Sequence, residues 1–161
     1  DPELARMAAI LHDCTKYWTL EENTALCAKY GVALDELEQK AVKLLHSKTG
    51  ACIARYVFGE PEEVCQAIFW HTTAKEDMTL LEKINSQGFY TNLYSMLRDN
   101  EKNAPEDVER LRALSYKDLD KALLLGVETT IQEMEERGLP IHKRTLMARD
   151  WLLAAGVTIE D

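Results

Sequence analysis

Apolar residues recur at spacings of three and four along nearly the whole chain, and nowhere do they alternate as in a half-buried strand. Leu4, Met7, Ala8 and Leu11 form the first stripe. Asp1-Pro2-Glu3 precedes it as a helix start: a capping carboxylate, proline in the first turn and an acid beside it. Thr19 and Glu22 have capping-box spacing and open a short helix that Gly31 closes. Leu34, Leu37, Ala41, Leu44 and Leu45 predict a third helix arriving at His46. Ser47-Lys48-Thr49-Gly50 reads as a turn, with a further helix over 51–58. Another begins at Glu60-Pro61-Glu62-Glu63 and carries Val64, Ala67 and Ile68 toward Trp70-His71.

The second half continues in the same way. Thr79 and Glu82 repeat the capping-box spacing before Leu80, Leu81 and Ile84. Asn85-Ser86-Gln87-Gly88 then reads as a helix stop, because these residues favour turns over helix interiors. Leu119, Leu123, Val127, Ile131 and Met134 predict a long amphipathic helix ended by Gly138-Leu139-Pro140, and a last helix covers about 145–155. The expected fold is all-α, a single helical bundle over 1–161.

Length and composition change this picture little. A chain of 161 residues is the size of one domain and can bury a substantial core. No apolar run approaches membrane-spanning length, and the first residues do not form a signal sequence. Cys14, Cys27, Cys52 and Cys65 make no CxxC pair. They read as small, reduced core residues, so a cytoplasmic location is expected. The net charge of -9 argues against a nucleic-acid surface, and a polyphosphate ligand would need cations close at hand.

Candidate chemistry centres on three of the four histidines. His12, His46 and His71 each stand at a predicted helix end, where the partial negative charge of the helix favours cations. His12 is followed directly by Asp13. Burying an imidazole and a carboxylate without partners is costly, whereas a metal ion partners both. Lys16 lies one turn beyond His12 and could hold a phosphate, or simply complement the helix dipole. Each histidine alone also reads as a capping or hydrogen-bonded core residue.

Several motifs in order resemble one family. Leu11-His12-Asp13-Cys14-Thr15-Lys16 is similar to the HD signature of the bacterial HD-domain symmetrical dinucleoside-tetraphosphatases. The likeness continues through Tyr30-Gly31, Leu45-His46-Ser47-Lys48-Thr49-Gly50-Ala51, Trp70-His71-Thr72-Thr73 and Leu80-Leu81-Glu82-Lys83-Ile84. It resumes at Leu119-Asp120-Lys121-Ala122-Leu123 and Gly138-Leu139-Pro140-Ile141-His142. The resemblance implies a helical, metal-dependent phosphohydrolase that cleaves diadenosine tetraphosphate into two ADP. It implies iron as the cofactor, with zinc or manganese compatible with the same ligands. His12 and Asp13 would be metal ligands, His46 and His71 would face the nucleotide phosphates, and Asp13 and Lys16 would serve catalysis.

The family pattern also has a histidine on a helix ahead of the HD pair, which is expected from an upstream segment or a neighbouring chain. Pairing with a second copy would cover the helical surface left open there. Its Leu-Ala-Asp motif has no match, and 85–104 is the unmatched block. Asp99 is the nearest carboxylate there, without motif support. Two other readings stay open: a nucleotide-binding domain without metal or catalysis, and a helical interaction module with Trp18, Phe69, Trp70 and Trp151 in its core.

Overall fold

The computed structural model describes residues 1–98 and 105–160. The described residues form eight helices: α1 Pro2–Leu11, α2 Leu20–Lys29, α3 Val42–Tyr56, α4 Glu62–Trp70, α5 Leu80–Arg98, α6 Pro105–Lys117, α7 Leu119–Glu136 and α8 Lys143–Ala154. No strand occurs among them. Two compact units divide the chain, 1–73 and 74–161.

In the first unit α3 packs against α2 and α4, and α1 packs against α4 and α3. The local signals act as read. Asp1 accepts from the Glu3 backbone N–H at 2.8 Å, and the Thr19–Glu22 capping box is complete, with contacts of 2.8 and 3.2 Å. Both devices pair backbone donors that a helix start leaves unpaired. One expectation fails here. Ser47-Lys48-Thr49-Gly50 is not a turn; α3 runs through it without interruption. The helix also starts at Val42, so Leu34, Leu37 and Ala41 precede it. His46 therefore sits in the first half of a long helix, not at the end of one. The reason is burial: every residue from 45 to 52 is buried, and tertiary contacts override weak helix propensity there.

In the second unit α5 packs on α7 and α6, and α7 also on α6 and α8. Its core is apolar, with Met78, Tyr90, Leu123, Leu124, Val127, Ile131, Ala148 and Leu152 all buried. The capping box at Thr79 and Glu82 again forms, with contacts of 2.7 and 3.3 Å. The helix stop expected at 85–88 does not occur, and α5 continues to Arg98. Tyr90, 1% exposed in the core shared with α7, lies beyond the weak stretch and draws the helix on. Lys83 to Arg98 contains no Asp or Glu, so this length of α5 offers no carboxylate ligand. Asp99 lies outside the described residues.

Cys27, Cys52 and Cys65 are buried free thiols, as expected, whereas Cys14 is exposed. Cys14 sits in the turn after α1, which faces its polar neighbours into the molecule and leaves the thiol outside. Trp18, Phe69, Trp70 and Trp151 are half-buried rather than core. None of the described helices is long and apolar enough to cross a membrane.

Candidate functional site

The first unit brings His12, Asp13, Lys16, His46 and His71 together. His12 caps the C-terminus of α1 and His71 that of α4, both with helical backbone angles. The two rings are anchored alike. Nδ1–H of His12 donates to the Ala9 carbonyl at 2.7 Å, and Nδ1–H of His71 donates to the Ile68 carbonyl at 2.6 Å. A carbonyl only accepts, so Nδ1 carries the proton and Nε2 presents a lone pair. The bond from His12 occupies a carbonyl of the last turn of α1, and the Ile68 carbonyl accepts from the His71 backbone N–H as well, at 3.3 Å.

Both Nε2 atoms turn toward Asp13. His12 Nε2 lies 3.6 Å from Oδ2, and His71 Nε2 lies 3.8 Å from Oδ1. The two rings meet edge to face, with centroids 5.1 Å apart. From α3, His46 Nε2 approaches Asp13 Oδ1 at 3.2 Å and His71 Nε2 at 3.1 Å. Because both of those atoms are acceptors, the His46 Nε2–H is the donor. On the other side Lys16 Nζ donates to Asp13 Oδ2 at 2.6 Å.

These contacts fix the charge state of the centre. Burial alone would raise the Asp13 carboxyl. Hydrogen bonds from His46 and Lys16, with the nearby charge of Lys16, outweigh it and hold the carboxyl well below the usual carboxylate range. His71 is fully buried. That burial, reinforced by His46, pushes its imidazole down to about 3 despite the bond to Ile68. Asp13 is thus a carboxylate and His71 a neutral imidazole at any ordinary pH.

One ligand atom each from His12, Asp13 and His71 lies within 4.8 Å of the other two. All three are electron-pair donors, and such a gathering suits a cation. Ring nitrogens locked by backbone carbonyls are the usual outer support of metal-binding histidines. The residues present therefore fit a metal ion.

A buried polar network that the sequence did not single out holds this turn in place. Thr15 Oγ1 donates to the His46 carbonyl at 2.9 Å and meets Thr49 Oγ1 at 2.8 Å; Thr49 Oγ1 lies 2.7 Å from Asn23 Oδ1. Asn23 Nδ2 donates in turn to the Trp18 and Thr19 carbonyls at 3.1 and 2.9 Å. Thr15, Asn23 and Thr49 are at most 1% exposed. Small polar residues on three different segments carry no spacing signal, so nothing in the sequence marks them as partners.

Comparison with known proteins shows the family. A family model described as HD domain matches residues 1–154. The chain is 31% identical over 159 residues to "Bis(5'-nucleosyl)-tetraphosphatase, symmetrical" of Halalkalibacterium halodurans, covering 95% of this chain and 78% of that protein. It is 27% identical over 155 residues to the Bacillus subtilis protein of the same name, covering 96% and 78%. A solved structure from Clostridium acetobutylicum, described as a predicted HD superfamily hydrolase involved in NAD metabolism, is 33% identical. It superposes with a TM-score of 0.84 over 96% of this chain and 78% of that one. With an HD-domain match across nearly its whole length, this chain belongs to the HD domain family.

Proposed function

We propose that the protein hydrolyses diadenosine tetraphosphate symmetrically, giving two ADP, at the Asp13 cluster. The observation that carries this reading is the convergence of the His12, Asp13 and His71 donors within 4.8 Å of one another. The relatives named for the same reaction support it.

His12 and Asp13 are the proposed metal ligands. His71, which the resemblance assigns to the phosphates, is better placed as a third donor, because its lone pair faces Asp13 and its Nδ1 is tied to Ile68. Three protein donors leave room for further ligands and substrate, as catalytic sites require. Iron is proposed first, on the resemblance; zinc and manganese suit the same imidazole and carboxylate donors. When bound, such a cation supplies a more acidic water and offsets charge at the phosphoryl oxygens.

The remaining groups position and neutralise. Stabilisation of phosphoryl transfer is mostly positioning and electrostatics, so fixed donors matter more than proton shuttles. The Nε2–H of His46 is directed at the centre and is proposed to donate to a phosphate oxygen. Lys16 brings a positive charge to the same place in a chain of net charge -9, where polyphosphate would otherwise be repelled. Asp13 stays ionised and orients both His46 and Lys16. Water adds to an inner phosphorus, the central P–O–P bridge breaks, and each product keeps two phosphates.

The test is metal content measured together with ADP release. The protein loaded in turn with iron, zinc and manganese is expected to release ADP from diadenosine tetraphosphate. Asp13→Ala is expected to lose bound metal and ADP release together, whereas His46→Ala keeps its metal and binds nucleotide more weakly. Full hydrolysis by Asp13→Ala would overturn the mechanism. A parent that binds ADP yet holds no metal and releases no product would establish a non-catalytic nucleotide-binding domain instead.

A further inference from the structure

Three consecutive residues at the end of α3 stand in solvent: Tyr56, Val57 and Phe58 are 52, 62 and 58% exposed. A fraying helix end would show such exposure, but this one is held. The backbone N–H groups of Val57 and Phe58 both donate to the Ile53 carbonyl, at 3.0 and 3.2 Å, and that of Glu60 donates to the Ala54 carbonyl at 3.0 Å. Gly59, at φ +69°, turns the chain between them. The same device ends α2: Gly31 at φ +67° follows Tyr30, and the Val32 N–H donates to the Cys27 carbonyl at 2.9 Å. These two fixed ends stack the Tyr30 and Tyr56 rings, with centroids 4.1 Å apart and planes 7° from parallel. Single exposed apolar residues need no explanation, whereas a contiguous, rigid patch marks an interaction surface.

Charge is laid out along the patch. Lys29, in the last turn of α2, has its Nζ 5.1 Å from the centre of the Tyr30 ring. Next to Tyr56 comes Arg55, 5.9 Å from that ring and bound through Nε and Nη2 to Glu62 at 3.2 and 2.6 Å. Contacts thus run from Lys29 through Tyr30, Tyr56 and Arg55 to Glu62. Arg55 and Glu62 neutralise one another, and Glu63 beside them adds an exposed negative charge. Neither Lys29 nor Glu63 makes an ion pair among the described residues. One end of the strip is therefore positive and the other negative. Such a strip is its own complement. A second copy laid on it in the reverse direction sets Lys29 of each chain against Glu63 of the other, and rings against rings. An anionic lipid surface or a nucleic acid would instead meet the acidic end and a chain of net charge -9.

We propose that this strip is the contact between two copies of the chain, paired about a two-fold axis at the Tyr30–Tyr56 stack. Half-exposed aromatic side chains offer on the order of 100 Å² each, less than a standard interface provides. The pairing is therefore weak, with dissociation expected at about 10–100 µM.

Sedimentation equilibrium of the whole chain, over about 5–500 µM, reads the pairing as an average mass rising from one chain toward two. Tyr56→Ala and Phe58→Ser each remove a contact twice over by symmetry and should weaken pairing about tenfold or more. Lys29→Glu and Glu63→Lys each set like charges opposite one another and should weaken it by a similar factor. An equimolar mixture of these two charge variants restores both pairs and should associate within about threefold of the parent. A variant weakened by misfolding gains nothing from mixing. A parent that keeps the mass of one chain throughout overturns the proposal. So does a dimeric parent whose pairing Tyr56→Ala and Phe58→Ser leave unchanged, because the contact then lies elsewhere. Charge variants that pair as the parent does, or a mixture that fails to recover, overturn the two-fold arrangement and the proposal with it.

Discussion

Helices α3 and α5 each carry a short polar run ending in glycine, Ser47-Lys48-Thr49-Gly50 in one and Asn85-Ser86-Gln87-Gly88 in the other. Both runs read locally as helix breakers, and both are helical. In α3 the polar groups are paired. Ser47 Oγ meets Thr72 Oγ1 at 3.0 Å, Thr49 joins Thr15 and Asn23, and Lys48 Nζ reaches Glu38 at 3.0 Å while lying over the Phe69 ring at 4.2 Å. Gly50 has a spatial reason as well: a Cβ there would stand 3.3 Å from the His12 carbonyl oxygen and from Ile68 Cγ2. In α5, Ser86 Oγ is buried with no hydrogen-bond partner among the described residues. Gly88 is exposed and a Cβ there would meet nothing within 4 Å. The same local chemistry therefore serves two ends. In α3 it lets α1 close on α3 and holds the HD turn; in α5 it is tolerated because Tyr90 and α7 supply the burial.

Substitutions can break this contrast. The largest effect is expected from Gly50→Val. Its branched side chain must push against a backbone carbonyl next to Asp13, costing about 3 kcal/mol, at the upper end for overpacking. That lowers the melting temperature by about 2–4 °C per kcal/mol in a chain of this size, and activity should fall with it. An unchanged melt would mean that α1 does not rest on Gly50 as described. Thr49→Val comes next. It removes the hydroxyl between Thr15 and Asn23 and leaves Asn23 Oδ1 buried without it, for about 2 kcal/mol of lost stability in urea titration.

The α5 run should respond with the opposite sign. Ser86→Ala removes an unpaired buried hydroxyl and introduces a better helix former, so a gain of about 1 kcal/mol is expected. A measured loss would show that the hydroxyl has a partner in solution. Gly88→Ala should add about 0.5–1 kcal/mol through helix propensity alone, seen as a small rise in melting temperature. No change in nucleotide affinity is expected from either α5 variant.

Local signals carry over from sequence to structure. The caps at Asp1, Thr19 and Thr79 form with the side chains named, because capping needs only neighbours a few residues apart. The helix stops after Tyr30 and Arg137 hold for the same reason. The polar runs failed because propensity differences of under about 1 kcal/mol per residue are outweighed by burial of the opposite helix face. The thiol of Cys14 was misplaced for a related reason: a residue in a turn has no periodicity to say which way it points.

Sequence by itself determined that the chain is helical and where most of its helices begin and end, because periodicity and capping survive in one dimension; His12, Asp13, His46 and His71 were joined only through the resemblance of their motifs to one family. Tertiary structure decided the rest. Only folding puts Nε2 of His71 within 3.8 Å of Asp13, directs the His46 proton between them, and buries Thr15, Asn23 and Thr49 as mutual partners. Those facts depend on distances between segments far apart along the chain, where residue type alone sets neither direction nor partner.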